Sequence, residues 1–183
     1  MSKREEKGEK CNLCPRNCNV DRSVETGFCG VSDTVKAAAA MLHFGEEPPI
    51  SGKNGSGAVF FSGCNMRCVF CQNYKISRLC YGKDISVERL SEIFLELQGK
   101  GAENINLVTA THYTKQVVKA LEKVKDKLFV PVIFNCGGYE KKETLKMLEG
   151  LADIYLPDVK YCSEDIAVRY SMARGYFERA YEA

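Results

Sequence analysis

Three cysteines in one short segment carry the clearest chemical signal in this sequence. They are Cys64, Cys68 and Cys71, and Gly63 directly precedes them. Three thiolates at this spacing can hold three corners of an iron–sulfur cubane, whereas a closed electron-transfer cluster normally has four cysteine ligands. One iron would then keep an open position, which distinguishes a catalytic metal site from a structural one. We call residues 64–71 the three-cysteine loop.

Chance is a poor explanation for this spacing. Ten cysteines in 183 residues give an expectation of only about 0.03 random matches to the pattern. The alternative is a zinc site or a closed cluster that takes Cys80 as its fourth ligand.

Four further cysteines lie earlier, at Cys11, Cys14, Cys18 and Cys29. Residues 11–30, which we call the four-cysteine segment, lack sustained apolar periodicity and cannot fold around a hydrophobic core of their own. A bound metal would organise such a segment. The spacing fits both a second iron–sulfur cluster and a structural zinc. The first would serve as an electron relay to the three-cysteine loop, and the second would only order the chain.

The composition excludes several classes of protein. With 26 basic and 24 acidic side chains and 45% hydrophobic residues, the chain fits one domain with a small appendage. The net charge of +2 gives no reason to expect nucleic acid as a partner. Because there is neither an apolar run of about 18 residues nor a secretory signal, we expect a cytoplasmic protein without a membrane partner. In that reducing compartment the cysteines are ligands, nucleophiles or core residues rather than disulfides.

Strands and helices alternate from about Ala58 onward. Apolar runs bounded by turn residues predict four strands, at residues 58–62, 105–108, 128–134 and 153–159. Helical spacing predicts helices at residues 87–97 behind an N-cap at Ser86, at 114–127 and at 141–149. This alternation predicts an α/β fold with a parallel sheet and a functional edge at the carboxyl ends of its strands.

Polar residues follow each predicted strand and should meet at that edge. They are the three-cysteine loop, residues 109–113, residues 135–139, and the pair Asp158 and Lys160. His112 is one of only two histidines, and its place after the second strand makes it a candidate site residue.

The cysteine spacing after the first strand, with an aromatic residue just before the last cysteine, resembles the radical S-adenosylmethionine (SAM) superfamily. In that superfamily the open iron binds the amino and carboxylate groups of SAM, and reductive cleavage gives a 5′-deoxyadenosyl radical that abstracts hydrogen from a substrate. The cofactors supply this chemistry, and the protein positions them. The resemblance therefore implies a [4Fe-4S] cluster on Cys64, Cys68 and Cys71, bound SAM with Phe70 against its adenine, and a low-potential electron donor of the flavodoxin or ferredoxin type.

A narrower resemblance is to the uncharacterised branch similar to pyruvate formate-lyase activating enzyme. It covers nearly the whole chain from Cys11 and implies glycyl-radical activation of a protein substrate as a candidate reaction. It is carried by CNLCPRNC at residues 11–18, HFGEEPPISG at 43–52, FFSGCN at 60–65, CQNY at 71–74 and DIYLPD at 153–158.

The sequence also departs from the superfamily pattern. A Gly-Gly-Glu run commonly holds the amino group of SAM after the second strand. Here Thr109, Thr111 and His112 stand in that region and become the candidate ligands. By the same resemblance, Asn135 after the third strand and Asp158 and Lys160 after the fourth line the site, with Lys160 pairing with the cofactor carboxylate. Asn135 replaces an aspartate that would help to bind a monovalent cation, so we predict no such cation.

The family core has six strand–helix units, and four are predicted here. We therefore expect an incomplete (βα)6-type barrel over residues 57–183, truncated at its C-terminal end, after a disordered tail at 1–10 and a metal-binding segment at 11–56. Two other classes of protein stay open. One is an iron–sulfur electron carrier or redox sensor that does not cleave SAM, and the other is a zinc-stabilised interaction module.

Overall fold

One mixed sheet of six strands organises the protein. The computed structural model describes residues 10–183, so the predicted tail lies outside the described residues except for Lys10, which pairs with Asp21. The strands are β1 (Val35–His43), β2 (Ser56–Phe61), β3 (Lys83–Ile85), β4 (Ile105–Val108), β5 (Val132–Cys136) and β6 (Ile154–Pro157). Their order in the sheet is β3-β1-β2-β4-β5-β6. Strands β2, β4, β5 and β6 are parallel, and β1 is antiparallel to both β2 and β3.

Seven helices connect or flank these strands in the described part of the chain. They are α1 (Pro48–Ser51), α2 (Tyr74–Ser77), α3 (Val87–Gly99), α4 (Thr114–Val124), α5 (Lys142–Lys146), α6 (Glu164–Ser171) and α7 (Tyr176–Glu182). A single 3₁₀ turn, Thr111–Tyr113, precedes α4. No helix among residues 10–183 is both long and apolar enough to cross a membrane.

The fold is mixed α/β with a mostly parallel sheet, which confirms the predicted fold class and is consistent with a partial barrel. All four predicted strands and all three predicted helices are present, with shifted ends. Strands β1 and β3 were not predicted, and β1 lies inside the stretch assigned to the metal-binding segment. Its four consecutive alanines favour helix when considered alone. They adopt a strand because β2 and β3 pair with the two edges of β1.

The main hydrophobic core lies between the sheet and helices α3 and α4. Alternate residues of β2 and β4, among them Val59, Phe61 and Leu107, point into it, as the two-residue period of a strand requires. From α3, Leu90 and Phe94 are fully buried against the same face. This packing fixes the ends of β2, β4 and β5 at one edge of the sheet.

Candidate functional site

The three-cysteine loop begins directly after β2, the first parallel strand. Gly63 has a φ of +83° and donates its backbone N–H to the carbonyl of Ile76 at 3.0 Å. A Cβ on Gly63 would lie only 2.7 Å from the carbonyl oxygen of Cys29. Glycine is therefore required here, both for the left-handed backbone and for the close approach of the four-cysteine segment.

The sulfur atoms of this loop accept hydrogen bonds, as ligand thiolates do. The Met66 N–H points at Cys64 Sγ at 3.3 Å, and Ser77 Oγ lies 3.3 Å from Cys71 Sγ. Burial raises the pKa of Cys64 to about 11, although the amides of Arg67 and Met66 act against it. Because the thiolate is the metal ligand, a bound cation would have to replace that proton. The donor set and its amide partners fit an iron–sulfur group.

An apolar wall surrounds Cys68, the middle cysteine of the loop. Cys68 is buried in a cluster with Met66, Tyr139, Tyr161 and Tyr176. Helix α6 packs against the same loop, because the Val69 N–H donates to the carbonyl of Tyr170 at 2.9 Å. Such a wall keeps water away from one side of the loop.

The four-cysteine segment lies directly on the three-cysteine loop. The Cys64 N–H donates to the carbonyl of Cys29 at 3.3 Å, and Arg67 donates to the carbonyl of Phe28 at 3.1 Å. The Cys80 thiol lies 3.4 Å from the carbonyl oxygen of Gly30. Cys80, the alternative fourth ligand, thus contacts the backbone of the four-cysteine segment.

The thiols of the four-cysteine segment lie near one another. Gly27 lies between two of them, because a Cβ added to Gly27 would be 3.6 Å from both Cys18 Sγ and Cys29 Sγ. The Phe28 N–H donates a hydrogen bond to Cys18 Sγ at 3.2 Å. Burial raises the pKa of Cys14 to about 12, and the thiols of Cys18, Cys29 and Cys11 add to the increase.

Within residues 10–183, no group of three or more His, Cys, Asp or Glu side chains is arranged to hold a metal ion. That finding concerns single ions, since each cysteine of a cubane binds a different iron. The metal ligands of both cysteine groups therefore stay predictions.

The ends of β5 and β6 bring Asp158 and Lys160 to the same edge. Lys160 forms an ion pair with Asp158. Burial alone would lower the pKa of Lys160. The net shift is upward, because the hydrogen bond and charge of Asp158 and the charges of Cys68 and Cys64 together outweigh burial. The turn after β5 and the turn after β6 pack closely together. A Cβ on Gly138, whose φ is +76°, would lie 2.1 Å from the carbonyl oxygen of Asp158. The structure thus places Lys160 near Cys64 and Cys68, two of the candidate cluster ligands.

The loop after β4 is buried rather than open. The His112 ring is 2% exposed, and its Nε2 bonds to the carbonyl of Ser62 at 2.8 Å. Burial lowers the pKa of His112 to about 3, so the ring is neutral. Arg22 of the four-cysteine segment donates a hydrogen bond to the backbone carbonyl of His112. His112 therefore joins β2, β4 and the N-terminal segment.

Glu140 is a buried acid beside the loop after β4 that was not predicted as a site residue. Thr111 Oγ1 donates to its Oε1 at 2.8 Å, and its Oε2 has no hydrogen-bond partner among the described residues. Burial raises the pKa of this carboxyl. The sequence feature that could have identified Glu140 is its position directly after the Gly-Gly-Tyr run that follows a buried strand.

The remaining predicted residues have different surroundings. Thr109 has a φ of +59°, and its N–H donates to the carbonyl of Asn135 at 2.9 Å, which joins the ends of β4 and β5. Phe70 is 60% exposed, and its ring edge contacts Tyr161 and Tyr170 with centroids 6.3 Å apart in each case. Phe70 thus lies toward α6.

Comparison with known proteins matches residues 58–183 to the Radical SAM superfamily. Because this match covers more than half of the chain, the chain belongs to the radical SAM superfamily. Membership implies a [4Fe-4S] cluster and SAM as cofactors, which agrees with the donor set of the three-cysteine loop.

Two proteins of Methanocaldococcus jannaschii are similar along most of this chain. The uncharacterized protein MJ0674 is 30% identical over an alignment of 179 positions, which covers 93% of this chain and 51% of that protein. The uncharacterized protein MJ0808 is 23% identical over an alignment of 192 positions, gaps included, which covers 90% of this chain and 56% of that protein. The chain therefore spans about half the length of the curated relatives it matches.

Proposed function

We propose that this chain carries the cofactor-binding part of a radical SAM enzyme, with Cys64, Cys68 and Cys71 as the ligands of its cluster. The observation that supports this most is the loop itself, which follows the first parallel strand and whose sulfurs accept bonds from Met66 N–H and Ser77 Oγ. When bound, the cluster and SAM supply reductive cleavage of a sulfonium and abstraction of hydrogen from a substrate.

The chain's own residues bind and orient those groups. Lys160 is available to pair with the cofactor carboxylate, and Asp158 holds its ammonium at the edge of the sheet. The apolar wall around Cys68 keeps water from one side of the loop. Thr109, Thr111, His112, Asn135 and Phe70 stay candidate cofactor contacts; of these, Thr111 and His112 are buried and already bonded within the protein.

We also propose a second metal group on Cys11, Cys14, Cys18 and Cys29, as an iron–sulfur cluster or zinc. Burial raises the pKa of Cys29, and the buried guanidinium of Arg22 acts against that increase, so Arg22 favours an anionic thiolate there. A thiolate cluster would balance this buried positive charge.

The proposed partners are a low-potential electron donor and a protein substrate, the latter for glycyl-radical activation as in the activating-enzyme branch. The stretch from Cys64 to Lys83 has no acidic residue, and Lys75, Lys83, Tyr74 and Tyr81 are exposed within it. A basic surface with exposed aromatic residues suits an acidic electron-transfer protein. Such a donor would approach close to the cluster loop.

Anaerobic reconstitution of the 183-residue chain with iron and sulfide, followed by reduction with SAM present, tests the proposal. We expect charge-transfer absorbance and release of 5′-deoxyadenosine, with the release lost in Cys68→Ala and kept in the matched control Cys80→Ala. A redox-active protein that never cleaves SAM would instead support the electron carrier. Retained zinc without visible absorbance would support the interaction module.

A further inference from the structure

Arg16 of the four-cysteine segment contacts the backbone of the three-cysteine loop. Its Nε donates a hydrogen bond to the carbonyl of Asn65 at 2.7 Å, and its Nη2 lies 3.5 Å from the carbonyl oxygen of Met66. Asn65 and Met66 are the two residues that directly follow Cys64. One guanidinium therefore contacts the carbonyl side of two successive peptide groups in the loop.

The opposite side of the same two peptide groups faces Cys64. A trans peptide group points its C=O and its N–H in opposite directions, and the described chain has only trans peptide bonds. The group between Asn65 and Met66 accepts from Arg16 at its oxygen. Its N–H donates to Cys64 Sγ at 3.3 Å. The next group has its oxygen near Arg16, and its N–H, that of Arg67, bonds to the same thiol. Each peptide group thus links the guanidinium to the sulfur.

The backbone at Arg67 brings these two N–H groups to one point. Arg67 has a φ of +51°, a left-handed conformation that is uncommon for a residue with a side chain. Successive N–H groups that converge beside such a residue form a site for an anion, here the sulfur of Cys64. Because this conformation is strained, surrounding contacts have to stabilise it. The contacts from Arg16 to the two carbonyls do so on the side away from the sulfur.

Two aromatic rings and the end of α6 fix the guanidinium itself. Its Cζ lies 3.8 Å from the ring centroid of Phe28 and 5.0 Å from that of Tyr139. Its Nη2 also donates to the carbonyl of Ser171 at 2.7 Å, and Nη1 donates to the carbonyl of Met172, where α6 ends. The planar fork of arginine can bond several carbonyls at once, whereas a lysine ammonium is a single point of charge. Contacts outside the three-cysteine loop therefore set the position of Arg16.

We propose that Arg16 is a positioning residue for Cys64, because it holds the peptide groups on both sides of Met66 so that their N–H groups point at the sulfur. This rests on the proposed function, which makes Cys64 a ligand of the cluster. Hydrogen bonds to a ligating sulfur stabilise the more electron-rich, reduced cluster and raise its reduction potential. Arg16 thereby makes the cluster easier to reduce.

The first test is amide hydrogen exchange of the metal-free 183-residue chain, resolved at Met66 and Arg67. It requires neither a cluster nor SAM. In Arg16→Gln we expect exchange at these two amides to become about tenfold faster, because their peptide groups lose a charged donor and can turn away from Cys64. Arg16→Lys should recover less than half of the protection, since one ammonium cannot hold two carbonyls in place.

The matched control is Arg169→Gln, because Arg169 is an exposed arginine that stacks on Tyr170 beside the same loop. It should keep the wild-type exchange at Met66 and Arg67, and exchange across α3 should stay constant in every variant. Equal exchange in wild type and Arg16→Gln, or full recovery in Arg16→Lys, would overturn the inference. An equally large change across α3 would also overturn it, because Arg16 would then only stabilise the fold.

The second test is the reduction potential of the reconstituted cluster, titrated without SAM and followed by electron paramagnetic resonance. At a fixed applied potential, the ratio of reduced to oxidised cluster should fall about tenfold in Arg16→Gln, which is a shift of about 59 mV for one electron. Arg169→Gln should keep the wild-type potential. An unchanged potential in Arg16→Gln would overturn the inference. By contrast, absence of a cluster or of SAM cleavage in the wild type, with the exchange difference intact, would overturn only the proposed function.

Discussion

His112 illustrates how single side chains serve the structure at this edge of the sheet. Its ring has the position of a cofactor ligand in the sequence pattern, yet it is buried and bonds the carbonyl of Ser62, the residue just before Gly63. Arg22 adds a second bond, to the backbone carbonyl of His112. A neutral imidazole here supports the start of the three-cysteine loop.

The neutral state of His112 predicts loss of stability in mild acid. Its pKa is lowered from 6.5 to about 3 in the folded protein, so below pH 6.5 the unfolded chain binds an additional proton. The free energy of unfolding should therefore fall by up to about 1.4 kcal/mol for each pH unit below that value. Urea unfolding of the metal-free chain between about pH 7 and 5 would measure this.

The variant His112→Gln should remove this contribution to the pH dependence, because glutamine does not titrate. His43→Gln, at the other histidine, should leave it unchanged. An equal slope in wild type and His112→Gln would contradict the assignment.

Among the elements, α3 shows the closest agreement between sequence and structure. Its N-cap at Ser86, its buried face and its end near Gly99 follow from residue types and helical spacing alone. Strand β1 shows the opposite case, because its alanines become a strand only through pairing with β2 and β3. Local patterns predict elements that bury one face, but not elements fixed by neighbours far along the chain.

The N-cap of α3 gives a prediction at this scale. Ser86 Oγ accepts a hydrogen bond from the Arg89 N–H at 3.0 Å. Ser86→Ala should lower the free energy of unfolding by about 1 kcal/mol, measured by urea denaturation. Ser86→Asp should restore most of the loss, since aspartate also caps helices. If both variants match wild type, the cap does not contribute.

Over the whole molecule, the four-cysteine segment docks across the carboxyl ends of the strands. It contacts the three-cysteine loop through Cys29, the loop after β4 through Arg22, and α5 through Leu13. The sequence predicted the separate cysteine groups and the shared edge. It did not predict the bonds of Arg16 to Asn65 and Ser171 or the bond of Glu140 to Thr111, because these bonds join residues that no local pattern relates.

The bond to α5 provides a test of this docking. Thr144 is buried, and its Oγ1 donates to the carbonyl of Leu13 at 2.7 Å. Thr144→Val keeps the shape and removes the donor, so the docked state should lose about 1 kcal/mol. Limited trypsin cleavage after Arg16 and Arg22 should become about fivefold faster. Thr144→Ser, which keeps the hydroxyl, should be cleaved at the wild-type rate, and unchanged cleavage in Thr144→Val would show that this bond does not hold the segment.

The bonds from Arg16 to Ser171 and Met172 span 155 and 156 positions of the chain. At a translation rate of about 5–20 residues per second, Arg16 is synthesised roughly 8–30 s before Ser171 and Met172. The contact between the four-cysteine segment and the end of α6 can therefore form only after nearly the whole described chain has been made.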